Sequence, residues 1–364
     1  MDKNKTSLNR YFDPLIDKNE AEGKRGLLLE YNSSKGFYNY RGERVVFVAD
    51  LLPIFLIKAL IFRDKGMSRL SHFDSFMKDL DLQECNALNI KDQVFRQTVR
   101  IQAWKRIFKL FFELTGAGSG YGLCYYANPV YGMNLACTEL GIPSFDMQHG
   151  TQGPLHPAYN FLKAPEGGYN ILPKHFCCWD EFSYKHILSW SEKFSCHLPI
   201  LSGNPWNDYA RDNYKRFTSV DLSDSKRLIV VTLQPVKGCL CEDHYELISS
   251  TKSHYTWWIR FHPRMSESER KEVTDRFEKF GSTKEIVFDD SNSIPIPILF
   301  QWTKLHLSRY SGSIIEAASA GVHTLILDEI GVNSFGYLLE DQRAEDVSKA
   351  NKSELLSIIK ARIN

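Results

Sequence analysis

No run of about 18 apolar residues occurs anywhere in the 364-residue chain, so no helix is expected to cross a membrane. Met1 to Arg10 is polar and charged and has no apolar signal core, which predicts a cytoplasmic protein with reduced thiols. Excess charge is missing as well. Lysine and arginine number 45 against 44 acidic residues, which argues against a dedicated nucleic-acid binder. The eight cysteines, at 85, 124, 137, 177, 178, 196, 239 and 241, have no zinc-site spacing. Cys124 and Cys137 lie in apolar runs and read as small buried hydrophobes. No Asp-x-Asp motif stands in a loop suited to a metal. Asp289-Asp290 precedes Ser291-Asn292 and reads as a solvated turn, so no essential metal is expected. No internal repeat of short period is visible.

What is present fits an α/β protein of about two domains. The hydrophobic fraction of 43 % is enough for real cores. Strand-like runs at Leu27–Tyr31, Arg44–Asp50, Tyr121–Tyr126, Ile142–Met147, Ile171–Trp179 and Leu198–Asn204 alternate with helical patterns. A polar stretch from Asn204 to Lys226 then changes the composition, which puts the boundary near 205–222. This predicts two Rossmann-like domains, 1–210 and 211–364, with a cleft between them. Residues 1–25 show no clear periodicity. Leu51–Phe62 reads as a buried helix with Pro53 in its first turn. Val94–Leu114 is a basic amphipathic helix, suited to packing with a solvated face or to an anionic membrane surface. The packed reading is the stronger of the two.

The chain is organised around Ile142–Met147, a short apolar strand that leads into Gln148-His149-Gly150-Thr151. In open α/β sheets ligands bind beyond the carboxyl ends of the strands. His149 therefore stands where chemistry is usually done, and imidazole can act as a base near neutral pH. Asp146 is the alternative base. In the second half three loops follow strands: Gln234-Pro235, His262-Pro263 and Ser308–Ser313. The last opens a helix at Ser311, Gly312 and Ser313, whose amides and hydroxyls suit a phosphate. Glu316, one turn on, suits ribose hydroxyls, and Arg260 and His262 suit phosphate oxygens.

The order of these motifs resembles bacterial surface-polysaccharide glycosyltransferases of GT-B fold, those of capsule and O-antigen synthesis. Asp146–Tyr159 looks like their acceptor-side loop, with Gln148, Gly150 and Thr151 on the acceptor. His262-Pro263 is similar to the His-Pro motif of sialyl and Kdo transferases. Gly312 separates the two serines that those families keep adjacent. The resemblance implies transfer of a sugar from a nucleotide-sugar donor to a saccharide or lipid-linked acceptor, without metal or further cofactor. It implies His149 and Asp146 as catalytic groups. Arg260, His262, Pro263, Ser311, Gly312, Ser313, Glu316 and Gln234 would hold the donor. A peripheral position at the inner membrane face, through residues 94–114, would suit a lipid-linked acceptor. His149-Gly-Thr151 and Tyr310-Ser-Gly-Ser313 also resemble polyol-phosphate transferases of teichoic-acid synthesis. A nucleotide-sugar epimerase of the same two-domain fold is a further alternative, and so is a non-catalytic binding module.

Overall fold

The computed structural model describes residues 8–30, 45–47, 84–161, 165–218, 227–281, 283–289 and 294–363. The helix expected at Leu51–Phe62 and the end of the polar stretch near Ser223 lie outside them. The chain divides into two compact units, one built around residues 27–37 and 42–203, the other around 1–26, 38–41 and 204–364.

The first described helix, α1 (Asp13–Ala21), belongs to the second unit. It was hidden in the sequence by its charge. Asn9 initiates it, its side-chain oxygen accepting from the amides of Tyr11 and Phe12 at 3.1 and 3.3 Å. Asp17 accepts a hydrogen bond from the Tyr209 hydroxyl at 2.6 Å, which ties the segment to the start of the second half.

In the first unit, β1 (Leu28–Glu30) pairs in parallel with β2 (Val45–Phe47). The long helix α2 (Glu84–Thr115) follows, then β3 (Gly120–Leu123), α3 (Asn128–Leu140), β4 (Ser144–Met147), β5 (His175–Cys178), α4 (Glu181–Ser191) and β6 (Leu198–Leu201). The strands β3 to β6 form one parallel sheet in sequence order. Pro129 starts α3, and Gly141, at φ 68°, ends it in the left-handed conformation that glycine adopts without steric penalty. Trp104, Phe108 and Phe112 of α2 face the core with Tyr125, Met133 and Phe176. Residues 94–114 are thus a packed helix, with Phe95 and Val99 left on its exposed side. Helices α2 and α3 approach closely at Gly132, where a Cβ would lie 2.4 Å from that of Trp104. Among the described residues no helix is long and apolar enough to span a membrane.

The second unit continues with α5 (Pro205–Asp212), β7 (Leu228–Thr232), α6 (Glu242–Thr251), β8 (Thr256–Arg260), α7 (Glu267–Glu278) and β9 (Ile286–Asp289). Then come β10 (Thr303–Ser308), α8 (Ser313–Ser319), β11 (His323–Ile326), β12 (Ala344–Asp346) and α9 (Lys352–Ile363). The expected capping box opens α7: Glu269 accepts from the Ser266 amide at 2.7 Å and Ser266 accepts from the Glu269 amide at 3.3 Å. The sheet is parallel, in the order β12-β11-β10-β7-β8-β9. Its central strand β7 is buried along its whole length, as a strand covered on both faces must be.

The solvated turn expected at Asp289-Asp290 is corrected by this sheet. Asp289 is the last residue of β9, beside Arg260 in register, and is 4 % exposed. It accepts from Arg260 Nη1 at 2.8 Å and from Trp258 Nε1 at 2.9 Å. An aspartate that ends a buried strand beside a strand-ending arginine is a paired charge, and adjacency to Ser291-Asn292 concealed this.

Candidate functional site

Strand order places the first candidate site. From β7 the chain moves to β8 and β9 on one side, then crosses to β10, β11 and β12 on the other. The order reverses between β7 and β10, and the loops leaving these two strands diverge there. This is the topological switch point at which α/β sheets bind ligands. Thr232 and Ser308 are the paired last residues of β7 and β10. Their side chains meet at 2.8 Å, and Thr232 Oγ1 lies 2.9 Å from Ser313 Oγ. His306, wholly buried, joins the same group through Nε2 at 2.9 Å from Thr232, while its Nδ1 lies 3.0 Å from Thr324 Oγ1.

The remaining candidates of this half follow the adjoining strands. Gln234 lies just beyond β7 and is buried. His262 and the exposed Pro263 lie just beyond β8. His262 Nδ1 accepts from the Arg264 amide at 3.1 Å, which leaves Nε2 to carry the proton. Burial, then the charges of Arg264 and Arg10, hold the imidazole below its ordinary pKa, so it is a neutral donor at pH 7. Ser311 accepts from the Ser313 amide at 3.3 Å. Gly312 precedes α8 at φ −56°, a value open to any residue. Glu316 is 8 % exposed, and among the described residues its carboxylate makes no hydrogen bond. Burial raises its pKa while Arg10 and Arg260 oppose the rise. Arg260 itself is held by Asp289 and by the Ile294 carbonyl at 2.6 Å.

The first unit carries a separate cluster at the carboxyl ends of β3 and β4. Asp146 is fully buried; its oxygens accept from the Tyr125 amide and the Tyr159 hydroxyl, both at 3.0 Å. Gln148 is also buried and built into the fold. Its Nε2 donates to the Gly150 carbonyl at 2.8 Å and to Ser183 Oγ at 3.0 Å, and its Oε1 accepts from the Trp179 amide at 2.5 Å. Gly150 and Thr151 are half-buried in the following loop. His149 is half-buried, with Nε2 at 3.2 Å from Cys124 Sγ and 3.4 Å from the Tyr126 hydroxyl. The buried reading of Cys124 is corrected by this contact: the residue is only half-buried and sits in the turn after β3 at φ 54°. Burial raises its pKa and keeps the thiol protonated, and the tautomer of His149 sets which of the two donates. Cys137 is buried as expected. Among the described residues no group of three or more metal-ligating side chains occurs.

Asp146 makes a measurable prediction. Burial pushes its carboxyl up to about 7. An unfolded aspartate titrates near pH 4. Between those values the folded chain holds a proton that the unfolded chain lacks, so this group's contribution is full below about pH 4 and is lost as pH rises through 7. The slope is about 1.4 kcal/mol per pH unit at most. Melting temperature should fall from pH 5 to 7.5 more steeply in the wild type than in Asp146→Asn. Parallel curves would show that Asp146 is ionised throughout.

Sequence reasoning found the loops of both sites, with Ser308 and Tyr159 at their ends, but gave no role to Thr232, His306, Tyr125, Cys124 or Arg10. One signal was available: Thr232 and Ser308 each close an apolar strand with a hydroxyl.

No family model matches the chain, and no curated protein matches it. Solved structures match over nearly its whole length. UDP-GlcNAc 2-epimerase from Methanocaldococcus jannaschii aligns with a TM-score of 0.58 and 14 % identity, covering 97 % of this chain and 89 % of that one. The S. aureus MnaA structure with UDP gives 0.54 and 12 %, covering 97 % and 84 %. UDP-GlcNAc 2-epimerase from Neisseria meningitidis bound to UDP-GlcNAc gives 0.54 and 13 %, covering 96 % and 86 %. At these identities the likeness is one of fold, the two-domain α/β type called GT-B. It overturns the glycosyltransferase expectation drawn from short motifs: structures of UDP-GlcNAc 2-epimerases align over almost the full length, and they favour the epimerase alternative. Nothing in them supports a capsule or O-antigen role or the His-Pro resemblance.

Proposed function

We propose that this protein is an enzyme that acts on a UDP-sugar and changes the configuration of the sugar, as a nucleotide-sugar 2-epimerase does. The observation that carries the reading is the switch point of the second unit, where Thr232, Ser308 and Ser313 converge, in a chain whose fold matches UDP-GlcNAc 2-epimerases over 97 % of its length. In this reading His262 and Ser313, with Ser311, Gly312 and Gln234, contact the diphosphate. Glu316 accepts from the ribose hydroxyls. Arg260 stabilises the phosphate side from behind, through its buried positive charge. No cofactor beyond the nucleotide-sugar and no metal is assigned, because protein donors meet the phosphate charge.

Inversion at a carbon needs a proton taken from it and a proton returned to it, so a group that titrates near neutral pH is required. His149 is assigned that role, with Asp146 as the alternative. Epimerisation needs no acceptor, so Gln148, Gly150 and Thr151 lose the acceptor role and support the His149 loop.

Calorimetry with UDP tests the binding half. Ser313→Ala and His262→Ala should each weaken UDP by about ten- to a hundred-fold, the range for a hydrogen bond to a charged group. Unchanged affinity in both would put the nucleotide elsewhere. Proton NMR of UDP-GlcNAc with the protein in D2O tests the chemistry. A second sugar isomer carrying deuterium at the inverted carbon is expected. UDP binding without isomer or exchange would leave a nucleotide-binding protein and overturn the epimerase reading.

A further inference from the structure

Arg10 lies far from the strand-following loops in sequence, yet the fold brings it to the second unit. It is exposed and stands in a fixed turn. The Asn9 amide donates to the Asp13 carboxylate at 2.8 Å, and the Asp13 amide donates to the Asn9 carbonyl at 2.9 Å. On one side of the turn Leu8 packs against the cluster of Trp206, Phe300 and Ala317, and Ala317 adjoins Glu316. On the other side α1 is tied through Asp17 to Tyr209 of α5. The charge of Arg10 is felt by two residues of the nucleotide reading. Burial raises the pKa of the Glu316 carboxyl, and Arg10 is the first charge to oppose the rise. Burial holds the His262 imidazole down, and Arg264 and then Arg10 add to the fall. Coulomb interaction weakens with distance, so Arg10 stands near both.

The guanidinium has donors to spare. It lies over the Tyr11 ring, 4.7 Å from its centre, and gives one hydrogen bond to the Tyr11 hydroxyl. A guanidinium carries five N–H donors, so most of them remain. Among the described residues no carboxylate pairs with it. Glu316 is in the matching state, buried and without a hydrogen bond among the described residues. These two opposite charges feel each other and do not pair. Glu316 lacks hydrogen-bond donors, and Arg10 lacks an anion. His262 offers a neutral N–H beside them. A molecule that brings hydroxyl donors and an anionic group together satisfies all three, and a nucleoside phosphate does so with its ribose and its phosphate.

We propose that Arg10 is a further binding residue of the second unit: the N-terminal turn presents its guanidinium to a phosphate held between His262 and Glu316. Leu8 and α1 set where the turn stands. The Tyr11 ring supports the flat face of the guanidinium and leaves edge donors for phosphate oxygens. The inference rests on the nucleotide reading of this site and adds a cation from outside the loops that follow the strands.

Calorimetry with UDP and with uridine on Arg10→Gln, Arg10→Lys and Lys18→Gln tests it. Lys18 is an exposed cation of α1 and controls for net charge. UDP affinity should fall about ten- to a hundred-fold in Arg10→Gln, the range for a hydrogen bond to a charged group, while uridine affinity stays level. Arg10→Lys should recover only part of the loss, because lysine lacks the planar fork. Lys18→Gln should bind UDP as the wild type does. Full recovery in Arg10→Lys, with a loss in Arg10→Gln that vanishes at about 1 M salt, would show a screened field without contact and overturn the proposal. Unchanged UDP affinity in Arg10→Gln overturns it as well. Equal losses for UDP and uridine, with a lower melting temperature, would mark a structural role and do the same. If the wild-type protein does not bind UDP, the nucleotide reading fails, and inorganic pyrophosphate decides Arg10. Pyrophosphate binding that Arg10→Gln abolishes keeps Arg10 as a phosphate residue. Binding that survives the substitution, or no binding by the wild type, overturns that role too.

Discussion

Replacing His149 with alanine should lower turnover of UDP-GlcNAc by a hundred- to ten-thousand-fold, the range for loss of a general base, while UDP affinity changes little. The expectation follows from where the residue stands. The loop after β4 leaves the carboxyl edge of a parallel sheet, and His149 is its first titratable side chain, half-buried, whereas Asp146 within β4 is sealed in the core. Its Nε2 has the Cys124 thiol and the Tyr126 hydroxyl as neighbours, both kept protonated by burial. Cys124→Ala should therefore retain a substantial part of the activity and shift its pH profile, because the thiol sets the hydrogen bonding of the imidazole. Turnover near the wild-type value in His149→Ala would pass the base role to Asp146 or to a group outside this cluster. Loss of UDP affinity together with turnover would place His149 on the nucleotide.

The elements around the sites were legible in the sequence wherever a local rule sufficed. The runs at 228–232 and 256–260 are apolar and β-branched or aromatic, and they became neighbouring strands. Gly141 ended α3, and Ser266 with Glu269 opened α7. What stayed hidden depends on contacts between distant segments. The charged segment that contains α1 shows no strong apolar face, and it is fixed by the Tyr209–Asp17 hydrogen bond across 192 positions of the chain. The buried group of Thr232, His306, Ser313 and Thr324 draws on three strands and a helix, and no spacing within one segment reveals it. Function was misread for a related reason. His-Pro and Ser-Gly-Ser are short patterns that several sugar-nucleotide enzymes of one fold can carry, so they point to a site on that fold and leave the reaction open.

Asp289→Ala should destabilise the second unit by about 3 to 5 kcal/mol, because removal of one member of a buried ion pair leaves the other uncompensated. Arg260 and Asp289 end the neighbouring strands β8 and β9, with side chains 8 % and 2 % exposed, and lie 2.8 Å apart. Without the carboxylate the guanidinium loses its ion-pair partner at 2.8 Å, and Trp258 Nε1 loses its acceptor. Chemical denaturation followed by tryptophan fluorescence would read the change, since Trp257 and Trp258 lie in this sheet. The double variant Arg260→Met with Asp289→Leu should recover most of the stability, as apolar replacements of buried pairs usually do. The same double variant separates structure from binding. If Arg260 serves the nucleotide through its field, the double variant will fold and bind UDP more weakly than the wild type. If UDP affinity is unchanged, the pair only ties β8 to β9. A loss below about 1 kcal/mol in Asp289→Ala, the range of an exposed pair, would mean that water reaches the guanidinium and that the pair is not sealed.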